Sequence, residues 1–227
     1  MTPSLRRQPP PSPEAWPTAA EIRAALEQAR PQSVPQWRPL RRAWSQALAD
    51  APAATLFEIA DELLDARPWG RLTAYELIAD HPAAMAALTT ARIRRLARGL
   101  DDWVGVDTFG CQVAGPAWRD GRLPTAELNR WATADDRWLR RLALVCTVAL
   151  NLRARGGHGD TARTLALCRQ LVADRDDMVV KALSWALRAL VVWDAAAVAG
   201  FLAEHDERLA PRVRREVGVK LRTGRKR

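Results

Sequence analysis

Three short stretches carry side chains whose types and spacing suit chemistry on a shared surface. The first is Trp103-x-x-x-Asp107, an indole and a carboxylate four residues apart, directly after Asp101 and Asp102, which can cap a helix. Positions i and i+4 lie one above the other on a helix, so the two side chains project into one space. The second is Trp138-Leu139-Arg140-Arg141. The third runs from Lys181 to Arg188 and sets Trp185 between Lys181, four residues before it, and Arg188, three after it. An aromatic ring among charges on one helix face describes a surface that meets a ligand. A merely solvated face has the same spacing, so the pattern alone leaves both readings open.

Other chemistries find less support. Cys111, Cys146 and Cys168 are few and widely spaced, with no CxxC pair, and His81, His158 and His205 are equally scattered. Neither a zinc site nor a disulfide framework is indicated, and no metal or other cofactor is expected. The longest apolar run, Leu142 to Leu150 broken by Thr147, falls far short of the ~20 residues that span a bilayer. Arg6 and Arg7 are followed by prolines rather than an apolar stretch, which argues against a secretory signal. The expectation is a soluble, monomeric protein of the bacterial cytoplasm, away from membranes.

The net charge of +9 is unevenly placed. Residues 207–227 carry +7 and residues 1–44 carry +4, leaving the middle slightly acidic. A basic terminal segment suits phosphate binding, although a sticky solvated tail has the same composition. Arginine supplies nearly all of this charge and suits bidentate phosphate contacts, but compositional bias would give the same preference.

The elements that must position these residues read as helices throughout. Residues 1–17 are proline-rich, lack apolar periodicity and are expected to be disordered. Thr18 and Glu21 form a capping box for a first helix, which Pro31 and Pro35 should end. A second helix is expected from near Pro39, with Leu40, Ala43, Trp44, Ala47 and Leu48 on its face. Apolar stripes then recur: Leu56 to Leu64, Leu72 to Ile78, Thr90 to Leu100 and the helix after Asp101. Gly115-Pro116 and Asp120-Gly121 predict a loop, and Gly156-Gly157-His158-Gly159 a flexible one. Asp135 or Asp136, then Asp160, then Asp176 or Asp177 are positioned to cap later helices, the last of which should span Ala210 to Leu221, before a basic tail over 222–227. No strand alternation is visible. Trp69, Trp103 and Trp138 stand 34 and 35 residues apart, and Trp185 follows after 47. Spacings of this size mark helix-pair repeats of the HEAT, armadillo or TPR kind. For Trp16, Trp37, Trp44, Trp69, Trp118, Trp131, Trp138 and Trp193 a packing role is expected.

From Leu56 to Leu221 the chain resembles the HEAT-like-repeat DNA glycosylases of the DNA alkylation repair (AlkD-like) family. The carriers are Trp103-x-x-x-Asp107, the Trp138 to Ala143 block and Lys181-Ala182-x-x-Trp185-x-Leu187-Arg188, in order and each on its predicted helix. A few residues are added around Gly156 to Gly159. The start departs from the family: Ser33-Val34-Pro35 and Leu40-Arg41-Arg42 match its first segment only faintly.

The resemblance implies an all-α, HEAT-like solenoid over residues 18–221 with a concave, basic DNA-binding groove. It implies a monofunctional DNA glycosylase that removes cationic N-alkylated purines, such as 3-methyladenine or 7-methylguanine, from duplex DNA without flipping the base. It gives catalytic roles to Asp107, Trp103 and Trp185, and phosphate contacts to Arg141 with Arg140, Lys181 and Arg188 as further candidates. The alternatives are a DNA-structure binder without catalysis and a HEAT-type protein scaffold.

Overall fold

The computed structural model describes residues 16–66 and 69–225, and most of the expected N-terminal disordered segment lies outside them. Every regular element among the described residues is helical. The chain divides into two compact units, meeting in sequence between Ala87 and Leu88.

The first unit contains α1 (Ala19–Ala29), α2 (Val34–Ala47), α3 (Ala53–Leu63), α4 (Gly70–Asp80) and α5 (Pro82–Ala86). The capping box forms as expected: the Thr18 hydroxyl accepts from Glu21 N, and the Glu21 carboxylate accepts from Thr18 N. Helix α2 departs from expectation by starting at Val34, directly after Ser33 and well before Pro39. Pro35 falls in its first turn, where a missing N–H costs nothing, and Pro39 gives up one internal hydrogen bond. Trp37 offsets that loss: it is fully buried, stacked on Trp69 at 5.5 Å, and donates its indole N–H to Thr73 Oγ1 at 2.9 Å. His81 ends α4 and starts α5, its Nδ1 accepting from Ala84 N at 3.0 Å.

The second unit holds α6 (Thr90–Leu96), α7 (Trp103–Phe109), a π-helical turn (Gly110–Ala114), α8 (Gly115–Arg119), α9 (Thr125–Ala132) and α10 (Arg137–Asn151). After a 3-10 turn (Arg153–Arg155) come α11 (Thr161–Gln170), α12 (Asp177–Leu190), α13 (Ala195–Glu204) and α14 (Pro211–Thr223). Helix α10 is its centre, buried all round from Arg141 to Asn151. It packs against α7, the π turn and α8 on one side and α12 on another, and α12 in turn packs on α14. These helices run parallel. Asp107 pairs with Arg141, 34 residues on, and Gly115 abuts Ala149; Arg141 reaches Met178, and Trp193, just past α12, donates to Asn151 O. Asp177 pairs with Arg212, 35 residues on, and Ser184 with Glu216, 32 on. Helices α9, α11 and α13 pack on the same row. Side-chain bonds between residues 32–42 apart are consistent with a helical repeat fold.

Gly115-Pro116 does not form the expected loop. It continues the helix that begins at Trp103, because the π turn bonds Gly115 N to Gly110 O, five residues back, and its wider coil admits the proline ring. Glycine is required here for approach rather than flexibility. A Cβ on Gly115 would lie 2.6 Å from Ala149 Cβ and 2.8 Å from Cys146 O, and one on Gly110 would lie 2.7 Å from Val145 Cγ1. The Gly156–Gly159 loop is likewise anchored, with Gly157 N bonded to Leu152 O and Gly159 N to Leu150 O.

Gly115→Ala is expected to push α8 off α10 and to cost about 1–3 kcal/mol. Gly200→Ala, at an open position within α13, should stabilise by up to ~1 kcal/mol. Urea denaturation of the two variants checks both signs.

Candidate functional site

Helix α7 begins where Asp102 accepts from Gly105 N at 2.8 Å. This cap fixes the first turn and sets Trp103 and Asp107 one above the other. Trp103 is 55% exposed, which leaves about 2–3 kcal/mol of burial unrealised for a ring of this size. Trp37, Trp69, Trp118 and Trp193 all direct their indole N–H to acceptors inside the fold. The indoles of Trp103 and Trp185 make no hydrogen bond or ring contact among the described residues. Trp138 is half-buried rather than core, with the Arg137 guanidinium 5.0 Å from its ring.

Asp107 meets Arg141 in a bidentate pair. Nε donates to Oδ1 at 2.9 Å and Nη2 to Oδ2 at 2.8 Å, while Nη1 donates to the Met178 carbonyl at 2.6 Å in the first turn of α12. One guanidinium therefore ties α7, α10 and α12 together at their N-terminal ends. Its side chain is 6% exposed, whereas the Asp107 side chain keeps 18% of its surface open to solvent. Burial raises the Asp107 pKa above the ordinary aspartate value, against the opposing hydrogen bonds and charge of Arg141, and the Asp102 charge adds a little. The folded protein thus holds this proton more tightly than the unfolded chain. The stabilisation that this brings is complete at low pH and is lost as pH rises through the folded pKa. Arg141 compensates the charged form of this partly desolvated carboxylate. Cys111, one turn on, is a neutral thiol whose pKa burial, helped by Asp107, pushes up to about 12.

The other cations singled out by sequence also have carboxylate partners. Arg140 pairs with Asp174 at 2.8 Å and donates to the carbonyls of Ala134 and Asp135, bracing the turn between α9 and α10. Arg188 donates to Ser184 and lies 3.7 Å from Glu216. Lys181 pairs with Asp177 at 2.6 Å on the same helix, and both are well exposed; a pair of that kind contributes about 0.3–0.5 kcal/mol and exchanges readily for another anion. The structure thus joins Asp107 and Arg141 directly, keeps Trp103 one turn away, and places Trp185 and Lys181 on the helix that Arg141 grips. It commits Arg140 and Arg188 elsewhere. Glu127, a second buried carboxylate, is 2% exposed and answered by Arg94 and Arg130, which leaves it no access to a ligand. The Met178 carbonyl and the π turn had no signature in the sequence.

A family model described as DNA alkylation repair enzyme matches residues 27–221. The chain belongs to that family. It has a role in DNA alkylation repair, and DNA is the partner that this role requires. No curated protein and no solved structure matches the chain. The matched segment begins within α1 and ends within α14, so it includes every residue of the site. Among the described residues no group of three or more His, Cys, Asp or Glu could hold a metal ion, and no helix is long and apolar enough to cross a membrane.

Asp107→Leu would strand a buried guanidinium and should cost about 3–5 kcal/mol. Asp107→Asn keeps an acceptor for Arg141 and should cost clearly less. Equal losses in chemical denaturation would contradict this view of the pair.

Proposed function

We propose that this alkylation repair enzyme is a monofunctional DNA N-glycosylase that releases cationic alkylated purines, such as 3-methyladenine and 7-methylguanine, from duplex DNA. The observation that carries the reading is a carboxylate held rigidly by a buried arginine while still open to solvent, one helical turn from an exposed indole. Pure DNA binding gains nothing from an anion at this place, since Asp107 repels phosphates.

Alkylation of a ring nitrogen leaves the base positively charged, so it departs as a neutral molecule and needs no strong general acid. As the glycosidic bond breaks, positive charge passes to the deoxyribose. A fixed carboxylate beside C1′ stabilises that oxocarbenium-like transition state and orients the attacking water. Asp107 has this role. Arg141 keeps the carboxylate aimed and ionised, so it acts as a positioning residue. The faces of Trp103 and Trp185 favour polarised C–H groups and flank the sugar–phosphate. Lys181, whose pair with Asp177 is easily exchanged, meets a backbone phosphate, with Arg140 and Arg188 bracing the helices around it. The helices α7, α10 and α12 form the floor of a HEAT-like groove that grips the backbone and leaves the base in or near the duplex. No lysine stands near Asp107 in the sequence to form a Schiff base, so strand cleavage is left out of the reaction.

The test is release of 7-methylguanine from alkylated duplex DNA. The parent protein should release it, and Asp107→Asn should lose on the order of 10²–10³ in single-turnover rate, the scale for one electrostatic element of a site. Equal rates would remove Asp107 from the mechanism, and binding without release in the parent would leave a non-catalytic DNA binder. The rate should also climb with pH through one ionisation above the usual aspartate range and then level off. Arg141→Ala removes the hydrogen bonds and charge that hold the pKa down, so it should move that limb to higher pH. A limb that stays in place would mean that Arg141 acts elsewhere.

A further inference from the structure

Arg141, Arg140 and Arg188 are committed to carboxylates and Lys181 is shared with Asp177, so a bound DNA strand calls for a further cation without a carboxylate partner. Beyond Asp107 on the same continuous helix comes the π turn, and it changes which residue follows along the face. In a regular helix the residue stacked on Asp107 is Cys111, which is buried here. The wider coil brings Gln112, five residues on and half-buried, toward that line. Gln112 Oε1 accepts from Arg155 Nη1 at 3.3 Å.

Arg155 is exposed, and among the described residues it has no carboxylate partner. Its backbone is held firmly all the same. The Arg119 guanidinium donates to the Arg155 carbonyl. Gly156 turns the chain at φ 74°, and Gly157 N bonds to Leu152 O. Gly157 is wedged so closely under the end of α10 that a Cβ there would stand 2.7 Å from Ala149 O. A glycine-built turn thus pins the main chain and sends a guanidinium without a carboxylate partner back toward the helix that carries Asp107. Its hydrogen bond to Gln112 sets the Arg155 guanidinium against the helix that carries Asp107. Five residues of helix correspond to about 7 Å, the scale of two nucleotide steps along B-DNA.

We propose that Arg155, presented by the Gly156–Gly159 turn and braced by Gln112, is a phosphate-binding arm for the DNA backbone next to the nucleotide facing Asp107. The inference rests on the proposed function only for its ligand, duplex DNA, and its test is one of binding rather than base release.

Affinity of the full chain for an unmodified duplex is measured across salt concentrations, for the parent, Arg155→Ala and Arg155→Lys. Losing one phosphate contact lowers the slope of log affinity against log salt by about 0.9, so the parent should lose roughly threefold more affinity than Arg155→Ala between about 50 and 200 mM salt. Arg155→Lys keeps the charge and should keep the slope. All three should share one melting temperature. A parental slope in Arg155→Ala would overturn the proposal. So would a fall in melting temperature shared by both variants without a slope change, which would mark Arg155 as a brace for the end of α10. A parent that binds DNA but releases no base would defeat the glycosylase reading and leave this test intact, whereas a parent that ignores duplex DNA would defeat both.

Discussion

The second unit is organised around one guanidinium. Arg141 is buried on the central helix and commits all three nitrogens to two neighbours, the Asp107 carboxylate of α7 and the Met178 carbonyl of α12. Desolvating such a pair is unfavourable, and a hydrophobic replacement is often as stable. A pair of this kind is explained by what it holds in place: a carboxylate whose position is set from below by a buried cation and whose upper surface remains open. The geometry separates two duties that a surface aspartate could not combine, since the same burial that raises the Asp107 pKa also prevents its swinging away.

That arrangement depends on helices lying close enough for a side chain from one to reach both neighbours. Gly110 and Gly115 let the α7–α8 helix close on α10 with no Cβ between them. The π turn between them shifts the hydrogen-bond register and absorbs Pro116. Asp136 and Asp176 fix where α10 and α12 begin, through hydrogen bonds to Trp138 N and Met178 N. With those starts set, Arg141 and Met178 arrive at the height of Asp107. Caps, glycines and the buried arginine are one device, and disturbing any of them moves the carboxylate.

Much of this was legible in the residues themselves. Aspartates before apolar stripes marked helix starts, and the i, i+4 spacing of Trp103 and Asp107 survived intact because a capped first turn leaves little freedom. What sequence could not convey was pairing across the repeat. Arg141 reads as a phosphate ligand until the helix packing shows that a carboxylate 34 residues away reaches it first. Local rules misread Pro35, Pro39 and Gly115-Pro116 as breaks. They are tolerated inside helices because burial of Trp37 and the close contact with α10 outweigh the lost backbone bonds. The glycine-rich turn after α10 looked like slack, yet its glycines are there for close packing and for positive φ.

The central claim is that Asp107 and Arg141 act as one unit. The most direct measurement is a double-mutant cycle on single-turnover 7-methylguanine release at saturating DNA, using Asp107→Asn, Arg141→Ala and the pair. If Arg141 works by aiming and ionising Asp107, adding Arg141→Ala to Asp107→Asn should cost almost nothing further. Two losses that multiply would show that the arginine acts independently of the carboxylate, and the claim of a single unit would be wrong.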